Sequence, residues 1–395
     1  MGCGASKKKD PAGAIGALNQ TGLEVLLTML EESKNAFVSP LSISLALSMT
    51  ANGAQGATLN GMMTAMCAKG LGGLVTLNDQ MGALTSLLTS SDPRVTFHVA
   101  NSLWCRTLLP KFIAVCASVY DAEAIKQAPD VSAINSWCAK KTQNKINSIV
   151  KPPLDPEGAV LVNALYFKGE WKSKFDASET IPAPFFDASG AQLNCQMMTA
   201  VGEDGKFDYL ETDTYQMACL PYGDTGEYTA TIVLPRSDAS PTLSMKGADS
   251  VPGAARKPRP ATVLEVLTSL STQWNDRLQC VQGSLQFPRF KVESEMQLGP
   301  LLAARGMQLA FTGEADFGAM SSAGRLNISQ VIHKTFVEVN EEGTEAAAVT
   351  AVTAPRCISS PKPAFSMVCN RPFLFFICHE RTKAIIFAGL VLTPE

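Results

Sequence analysis

Hydrophobic and polar positions alternate strictly along residues 331–339. One face carries Val331, His333, Thr335, Val337 and Val339, and the other carries Ile332, Lys334, Phe336 and Glu338. A period of two with many β-branched residues is typical of a β-strand, so the pattern predicts a strand here. Glu341, Glu342 and Gly343 then interrupt the alternation.

Similar patterns predict the other elements. Leu23, Leu26, Leu27 and Leu30 have the spacing of a core-facing helix side. Ser39-Pro40 can begin a second helix, because proline is tolerated in a first helical turn. Further helices are predicted at residues 131–150, ended by Pro152-Pro153, and at 263–278. Strands are predicted at 96–104, 159–167, 285–292, 372–378 and 384–392, with three short strands within 207–234.

The segment after Gly343, residues 344–354, contains one charge and neither proline nor glycine. Its alanines favour helix, whereas its valines and threonines favour strand. As a strand it would place only small side chains on one face: Thr344, Ala346, Ala348, Thr350, Val352 and Ala354. Pro355, Pro361 and Pro363 follow, and proline cannot donate to a central ladder. This order predicts a strand held in reserve and presented on a loop.

The composition is that of a globular protein, with 46% hydrophobic and 17% charged residues over 395 positions. A net charge of −3 and the lack of a basic, aromatic-interleaved run argue against a nucleic-acid partner. No apolar run reaches the roughly 18 residues of a membrane span. The eleven cysteines form no CxxC or Cys/His spacing, and no apolar signal segment begins the chain. Free thiols in a reducing compartment, the cytoplasm, are therefore expected.

Enzyme chemistry has little support in the sequence. Only three histidines occur, and GxSxG, HExxH and phosphate-binding glycine motifs are absent. His333 lies among valines, so it is expected to be a core histidine. A hydrolase, the alternative of a different class, would need turnover from a Ser/His pair. We predict no catalytic residue, metal ligand or cofactor.

Residues 1–13 are predicted to be an acylation tail. Removal of Met1 would expose Gly2 for myristoylation, with Ser6 at the preferred position. One myristoyl chain binds membranes with only about 10⁴ M⁻¹. Cys3 could add a palmitoyl chain, and Lys7–Lys9 could each add about 1 kcal/mol against anionic lipid. We expect anchoring to the cytoplasmic face of a membrane.

Several segments, in order and at familiar spacing, resemble the serpins. They are GTEAAAVTA at 343–351 after a Glu pair, residues 35–58, ANSLW at 100–104, VNALYFKGEW at 162–171 and RPFLFFI at 371–377. Only residues 1–13 and about 237–260 fall outside the resemblance, and the latter segment, rich in Ser, Pro, Gly and Ala, is predicted to be a surface insertion. The resemblance implies one mixed α/β (α+β) domain over residues 14–395. It further implies three β-sheets, eight to nine helices and an exposed reactive loop at 341–360.

The resemblance also implies three groups of site residues. A polar cluster beneath the central sheet (the shutter) would comprise Ser39, Ser42, Asn163 and His333. An ion-pair site where insertion begins (the breach) would comprise Trp171, Arg289 and Glu341; family members often carry lysine at the Arg289 position. The hinge would comprise Glu341, Glu342, Gly343, Thr344, Ala346, Ala347 and Ala348.

The function implied is suicide inhibition of a serine-type protease by a monomer. Family spacing from Glu341 gives Cys357–Ile358 as the scissile bond, and one residue less gives Arg356–Cys357. Cysteine at the cleaved position suits elastase- or chymotrypsin-like pockets, arginine suits trypsin-like ones, and an exposed Cys357 could react with a cysteine protease. The alternative keeps the fold without inhibition, as a chaperone or carrier.

Overall fold

The computed structural model describes residues 10–29, 34–88, 92–200, 205–236, 277–322, 324–344 and 364–394. Seven α-helices lie in these ranges: α1 (Ala12–Met29), α2 (Pro40–Ala51), α3 (Gly56–Ala65), α4 (Leu74–Leu88), α5 (Pro110–Tyr120), α6 (Val131–Lys141) and α7 (Gly299–Leu302). Short 3-10 turns occupy Lys69–Leu71, Ala177–Glu179 and Gln308–Phe311.

Sixteen strands lie in the same ranges. They are β1 (Ala36–Val38), β2 (Val95–Cys105), β3 (Glu123–Lys126), β4 (Ala159–Glu170), β5 (Ile181–Phe186), β6 (Gln192–Ala200), β7 (Lys206–Glu211), β8 (Tyr215–Tyr222), β9 (Tyr228–Pro235), β10 (Gln279–Pro288), β11 (Phe290–Gln297), β12 (Ile328–Val339), β13 (Gly343–Thr344), β14 (Phe365–Val368), β15 (Phe373–His379) and β16 (Ile385–Val391).

Two hydrogen-bonded sheets organise the described residues. The first has six strands in the order β11-β12-β13-β4-β2-β3. The second runs β1-β16-β15-β9-β8-β7-β10-β6-β5, with β14 added in parallel to β10. The long strand β10 pairs with β7 over its first half and with β6 over its second half. Two of the three predicted sheets are therefore joined through one strand.

Both faces of the six-stranded sheet are covered, which explains why β4 is buried along almost its whole length. On the inner face, α2 contacts β2, β4 and β16, and the main core continues into the ten-stranded sheet. On the outer face a smaller core packs beneath α6, with Ile134 and Cys138 against Val160, Val162 and Ile332. A strand added to this sheet would therefore enter a protein interior on both sides.

Two predicted elements differ from the observed ones. The helix predicted at 131–150 ends at Lys141, because Gln143 and Asn144 turn left-handed at φ 50° and 62° and the Ile146 N–H donates to the Thr142 hydroxyl instead of to a helix carbonyl. The strand predicted at 285–292 is two strands separated at Arg289, because the chain changes partner there: β10 pairs with β6 up to Pro288, and β11 pairs with β12 from Phe290 onwards.

The other predicted strands agree with the structure to within a few residues, and Ser39 caps α2 as expected. Leu30, the 237–260 insertion and almost all of the 263–278 helix lie outside the described residues. Eight to nine helices were expected, and seven lie in the described ranges. Within those ranges no helix is long and apolar enough to cross a bilayer.

Candidate functional site

The candidate site is an opening at one end of the six-stranded sheet. Strands β4 and β12 pair in parallel from Ala159 and Ile328 up to Tyr166 and Phe336. Beyond that point the two-residue strand β13 lies between them, antiparallel to both. Thr344 pairs with Val339 on one side and with Gly169 on the other, and Gly343 pairs with Glu170. The first residues after the turn thus already occupy a strand position between β4 and β12.

A tight turn at residues 340–343 reverses the chain into this position. The Asn340 N–H donates to Gly343 O at 2.9 Å, and its side-chain Oδ1 accepts from the Glu342 N–H at 3.0 Å. A Cβ atom at position 343 would lie 2.0 Å from the Gly169 carbonyl oxygen. Only glycine can therefore pass this close to β4.

Aromatic side chains line the base of the opening. Trp171 stacks on Tyr222 with ring centroids 4.4 Å apart, and its Nε1 donates to Asn340 O at 2.8 Å. The Tyr222 hydroxyl lies 2.7 Å from the Thr344 hydroxyl, and both residues are fully buried. Burial raises the pKa of Tyr222, so the phenol stays protonated and able to donate. Thr344 is therefore held by its side chain as well as by its backbone.

An ion pair closes one edge of the opening. The Arg289 guanidinium donates through Nε to Glu341 Oε1 at 2.6 Å, and the Thr180 hydroxyl bonds to the same oxygen. The Glu341 side chain is only 7% exposed, whereas that of Arg289 is 43% exposed. Nearby, Lys174 bridges Glu342 at 2.6 Å. These contacts attach the turn before β13 to the junction of β10 and β11, through Arg289, and to the segment between β4 and β5, through Lys174 and Thr180.

We predict that Arg289 and Glu341 are energetically coupled. In a double-mutant cycle of Arg289→Gln and Glu341→Gln, urea unfolding should give a coupling free energy of about 1–2 kcal/mol, because hydrogen bonds to charged groups exceed neutral ones. A coupling below about 0.3 kcal/mol, the value for independent sites, would contradict this prediction.

A polar cluster lies beneath the same sheet, where β4 and β12 are still paired. Asn163 on β4 is opposite His333 on β12. Asn163 Nδ2 donates to Ser42 O at 2.8 Å and also contacts Ser42 Oγ and Asn101 Oδ1. Ser39 caps α2 by accepting the Ser42 N–H at 3.1 Å. The cluster joins the two strands to the start of α2.

The proton on His333 is positioned by its partners. Nε2 accepts the Ser39 N–H at 3.0 Å, so Nδ1 carries the hydrogen and donates to Asn163 Oδ1. Complete burial lowers the pKa of His333 to about 3. The imidazole is therefore neutral and structural at physiological pH. It cannot serve as a general base without breaking the contact between β4 and β12.

Comparison with known proteins agrees with this architecture. The family model described as serpin (serine protease inhibitor) matches residues 16–394. Serpin B8 of Homo sapiens is 34% identical over 92% of this chain and 94% of its own length. The chain belongs to the serpin family. The leukocyte elastase inhibitor of Xenopus tropicalis is 32% identical over 91% of this serpin and 93% of the relative. The native-state crystal structure of the thermophilic serpin tengpin has a TM-score of 0.81 at 27% identity, covering 96% of this chain and 94% of that one.

The predicted serpin fold of mixed α/β class is thus confirmed, as is membership of a family of protease inhibitors and not of enzymes. The structure also brings together the predicted site residues that it describes. Ser39, Ser42, Asn163 and His333 form one cluster, and Trp171, Arg289 and Glu341 surround the opening. Their functional roles remain predictions.

Several predicted positions of this serpin lie outside the described residues. They are Gly2, Cys3, Ala346, Ala347, Ala348, Arg356, Cys357 and Ile358. Conversely, Asn101, Thr180 and Tyr222 were not predicted. Asn101 had a usable signal, since it is a polar residue within a predicted hydrophobic strand. Thr180 and Tyr222 come from distant elements and carry no local signal.

The buried histidine predicts acid sensitivity in this serpin. Unfolded His333 would bind a proton near pH 6.5 but the folded form only near pH 3, so the unfolded state binds more protons between these values. The free energy of unfolding should therefore decrease as the pH is lowered, by about 2 kcal/mol between pH 6.5 and pH 5.

Urea unfolding at pH 7.5, 6.5 and 5 measures this contribution. His379, whose pKa is lowered to about 4, adds a slope of the same sign, so the comparison is between variants. His333→Gln should flatten the pH dependence by about that 2 kcal/mol. Equal slopes for the wild type and His333→Gln would show that His333 does not contribute.

Proposed function

We propose that this serpin is a suicide inhibitor of a serine-type protease, acting by insertion of its reactive loop between β4 and β12. The observation that carries the proposal is β13, because two residues of the hinge already form a strand between those two partners. A strand continued from Thr344 would extend β13 between the same two partners. The relatives named serpin B8 and leukocyte elastase inhibitor support the same activity.

The register of β13 specifies what each inserted residue would meet. Continued antiparallel in steps of two, position 346 would lie between Phe167 and Val337, and position 348 between Leu165 and Thr335. Thr344 faces the inner core, so these positions would face it too. Alanine at 346 and 348 suits an interior that is already filled by large side chains. The small residues of the hinge are thereby explained.

If the strand continued in the same register, position 350 would lie between Asn163 and His333. Insertion to this depth must separate the Asn163–His333 hydrogen bond and replace it. A threonine hydroxyl can donate and accept, so it would leave neither partner unsatisfied. The polar cluster therefore acts as a barrier that the intact protein keeps closed and the inserted strand can satisfy.

The chemistry begins with an ordinary acyl transfer. The protease serine Oγ attacks the carbonyl carbon of Arg356 or Cys357, an ester forms, and the peptide C–N bond breaks. The new amino terminus at Cys357 or Ile358 keeps the transferred proton. Once cleavage has separated the loop from the chain that follows it, the loop inserts and forms about ten ladder hydrogen bonds at roughly 0.5–1.5 kcal/mol each. That driving force is comparable with the 5–15 kcal/mol stability of a typical protease domain.

Incubation with a panel of proteases tests the proposal. The panel should include trypsin-like, elastase-like and chymotrypsin-like serine proteases and one cysteine protease. The expected product is a complex that survives denaturing gel electrophoresis, with release of a peptide beginning at Cys357 or Ile358. Mass spectrometry of that peptide decides between the two bonds. Cleavage by every protease without any stable complex would contradict inhibition.

We also propose that the protein is held at a membrane by acylation. Gly2 would carry a myristoyl group and Cys3 a palmitoyl group, with Lys7–Lys9 adding attraction to anionic lipid. Two acyl chains, or one chain and a basic cluster, suffice for stable attachment. Metabolic labelling with a myristate analogue should mark the wild type and not Gly2→Ala.

A further inference from the structure

The amino-terminal end of the body has an unusual surface. Helix α1 begins at Ala12, and the Ala14 N–H donates to Gln80 Oε1 on α4 at 2.8 Å. A Cβ atom at Gly13 would lie 2.7 Å from Leu71 Cδ2. The first turn of α1 therefore lies directly beside the residues that lead into α4. We call this surface, formed by Ala12, Gly13, Gly16, Leu71, Leu74 and Val75, the amino-terminal face.

The amino-terminal face exposes apolar side chains. Val75 is 73% exposed, more than any other large hydrophobic residue in the described ranges; the others are Ile181 at 55% and Val368 at 36%. Leu71 and Leu74 beside it are half-buried, and Gly16 faces open space. Isolated exposed valines are common, but this one continues into neighbouring apolar and glycine surface.

The same face has almost no charge. Residues 11–23 and 70–78 contain no Asp, Glu, Lys or Arg, although 17% of the whole chain is charged. Asp10, Lys69 and Asp79 flank these two segments in the sequence, and Asp79 follows Val75 by one turn of α4. A neutral, glycine-rich surface with a protruding aliphatic side chain costs little to dehydrate, which suits contact with a lipid interface.

We propose that the amino-terminal face docks on a lipid bilayer containing anionic headgroups, with Val75 entering the interface. This inference rests on the proposed acylation of Gly2. The chain from Gly2 to Asp10 can span at most about 29 Å, so an acyl group in the bilayer holds this face close to it. Such tethering raises the effective concentration to about the millimolar range, where a weak contact is populated.

Docking in this way would leave the hinge free. Helix α4 runs from the amino-terminal face to Leu88, whose carbonyl accepts the Tyr228 hydroxyl. Tyr228 pairs with Tyr222, which contacts Thr344. The face and the hinge are thus near opposite ends of a helix about 21 Å long. The bound protein would present its opening away from the membrane, where a protease can reach the loop.

Vesicle sedimentation of the acylated full-length protein tests the inference. The vesicles are phosphatidylcholine with about 20% phosphatidylserine, chosen because anionic lipid attracts the basic tail. Val75→Asp should weaken partitioning about tenfold, since a carboxylate is costly at a lipid interface. Ile181→Asp, the matched change at the next most exposed hydrophobic residue, should change it less than about twofold. Hydrogen exchange at residues 69–76 should slow when vesicles are added to the wild type.

The outcomes separate the two proposals. If Gly2→Ala binds vesicles as well as the wild type, or the wild type does not bind, the acylation proposal fails, and docking that rests on it fails as well. If Gly2→Ala loses binding but Val75→Asp matches Ile181→Asp, anchoring stands and the docking face is overturned. A dimer in the absence of lipid that Val75→Asp dissociates would also overturn it, by assigning the face to a second copy of the chain.

Discussion

Replacing Thr344 by arginine is expected to convert this serpin from an inhibitor into a substrate. Thr344 is completely buried between β4 and β12, with its hydroxyl on Tyr222. An arginine at this position would place an unpaired charge in the interior, at a cost of several kcal/mol. In the intact variant the hinge would therefore leave the gap, and insertion after cleavage would have to bury the charge. Each 1.4 kcal/mol that this adds to the insertion barrier slows insertion about tenfold, so hydrolysis of the acyl-enzyme would overtake it.

The measurement is the number of serpin molecules consumed per protease molecule inhibited, which should rise at least about tenfold. Thr344→Ser keeps the hydroxyl and should behave as the wild type. Thr28→Arg adds the same charge at an exposed position of α1 and should do likewise. If Thr344→Arg still forms the covalent complex at the wild-type ratio, insertion through this opening is not the mechanism.

Replacing Asn163 by leucine is expected to destabilise the intact protein strongly. Its side chain contacts Ser42, Asn101 and His333 and is 1% exposed. Leucine has a similar volume but would leave buried polar partners unsatisfied, at about 1–3 kcal/mol for each. A loss of about 3–6 kcal/mol is a large part of the stability of any folded protein.

Thermal unfolding should show a Tm lower by about 5–10 °C for Asn163→Leu. The matched control is Asn194→Leu, which makes the same change at an exposed strand position. The control should stay within about 1 °C of the wild type, since exposed substitutions away from such contacts have small effects. Equal melting temperatures for the two variants would show that the polar cluster does not hold β4 and β12 together.

Local pattern was sufficient for much of the fold. Strict alternation at residues 331–339 predicted β12, and the hydrophobic run at 159–167 predicted β4. The polar residues Asn163 and His333 stood out within those strands. Their pairing, however, depends on which strands become neighbours, and the residues are 170 positions apart. The family resemblance supplied that neighbour relation, which periodicity alone could not.

The failures arose where a side chain competes with the backbone pattern. Residues 142–150 continue an apolar spacing, but the Thr142 hydroxyl and the Asn135 amide oxygen accept backbone N–H groups there and so end the helix. The break at Arg289 follows Pro288, which cannot donate to a ladder. The two-residue strand β13 is too short for any periodic signal. Its position between β4 and β12 is nevertheless the feature on which the proposed mechanism depends.

The most direct test compares the melting temperatures of the intact and loop-cleaved proteins. Cleavage within residues 345–363 by a protease that does not become trapped should release the strand that β13 begins. If the strand inserts into the six-stranded sheet between β4 and β12, about 10 kcal/mol of new contacts should raise the Tm of the cleaved protein by roughly 20 °C. A cleaved protein that melts at or below the temperature of the intact one would contradict insertion between β4 and β12.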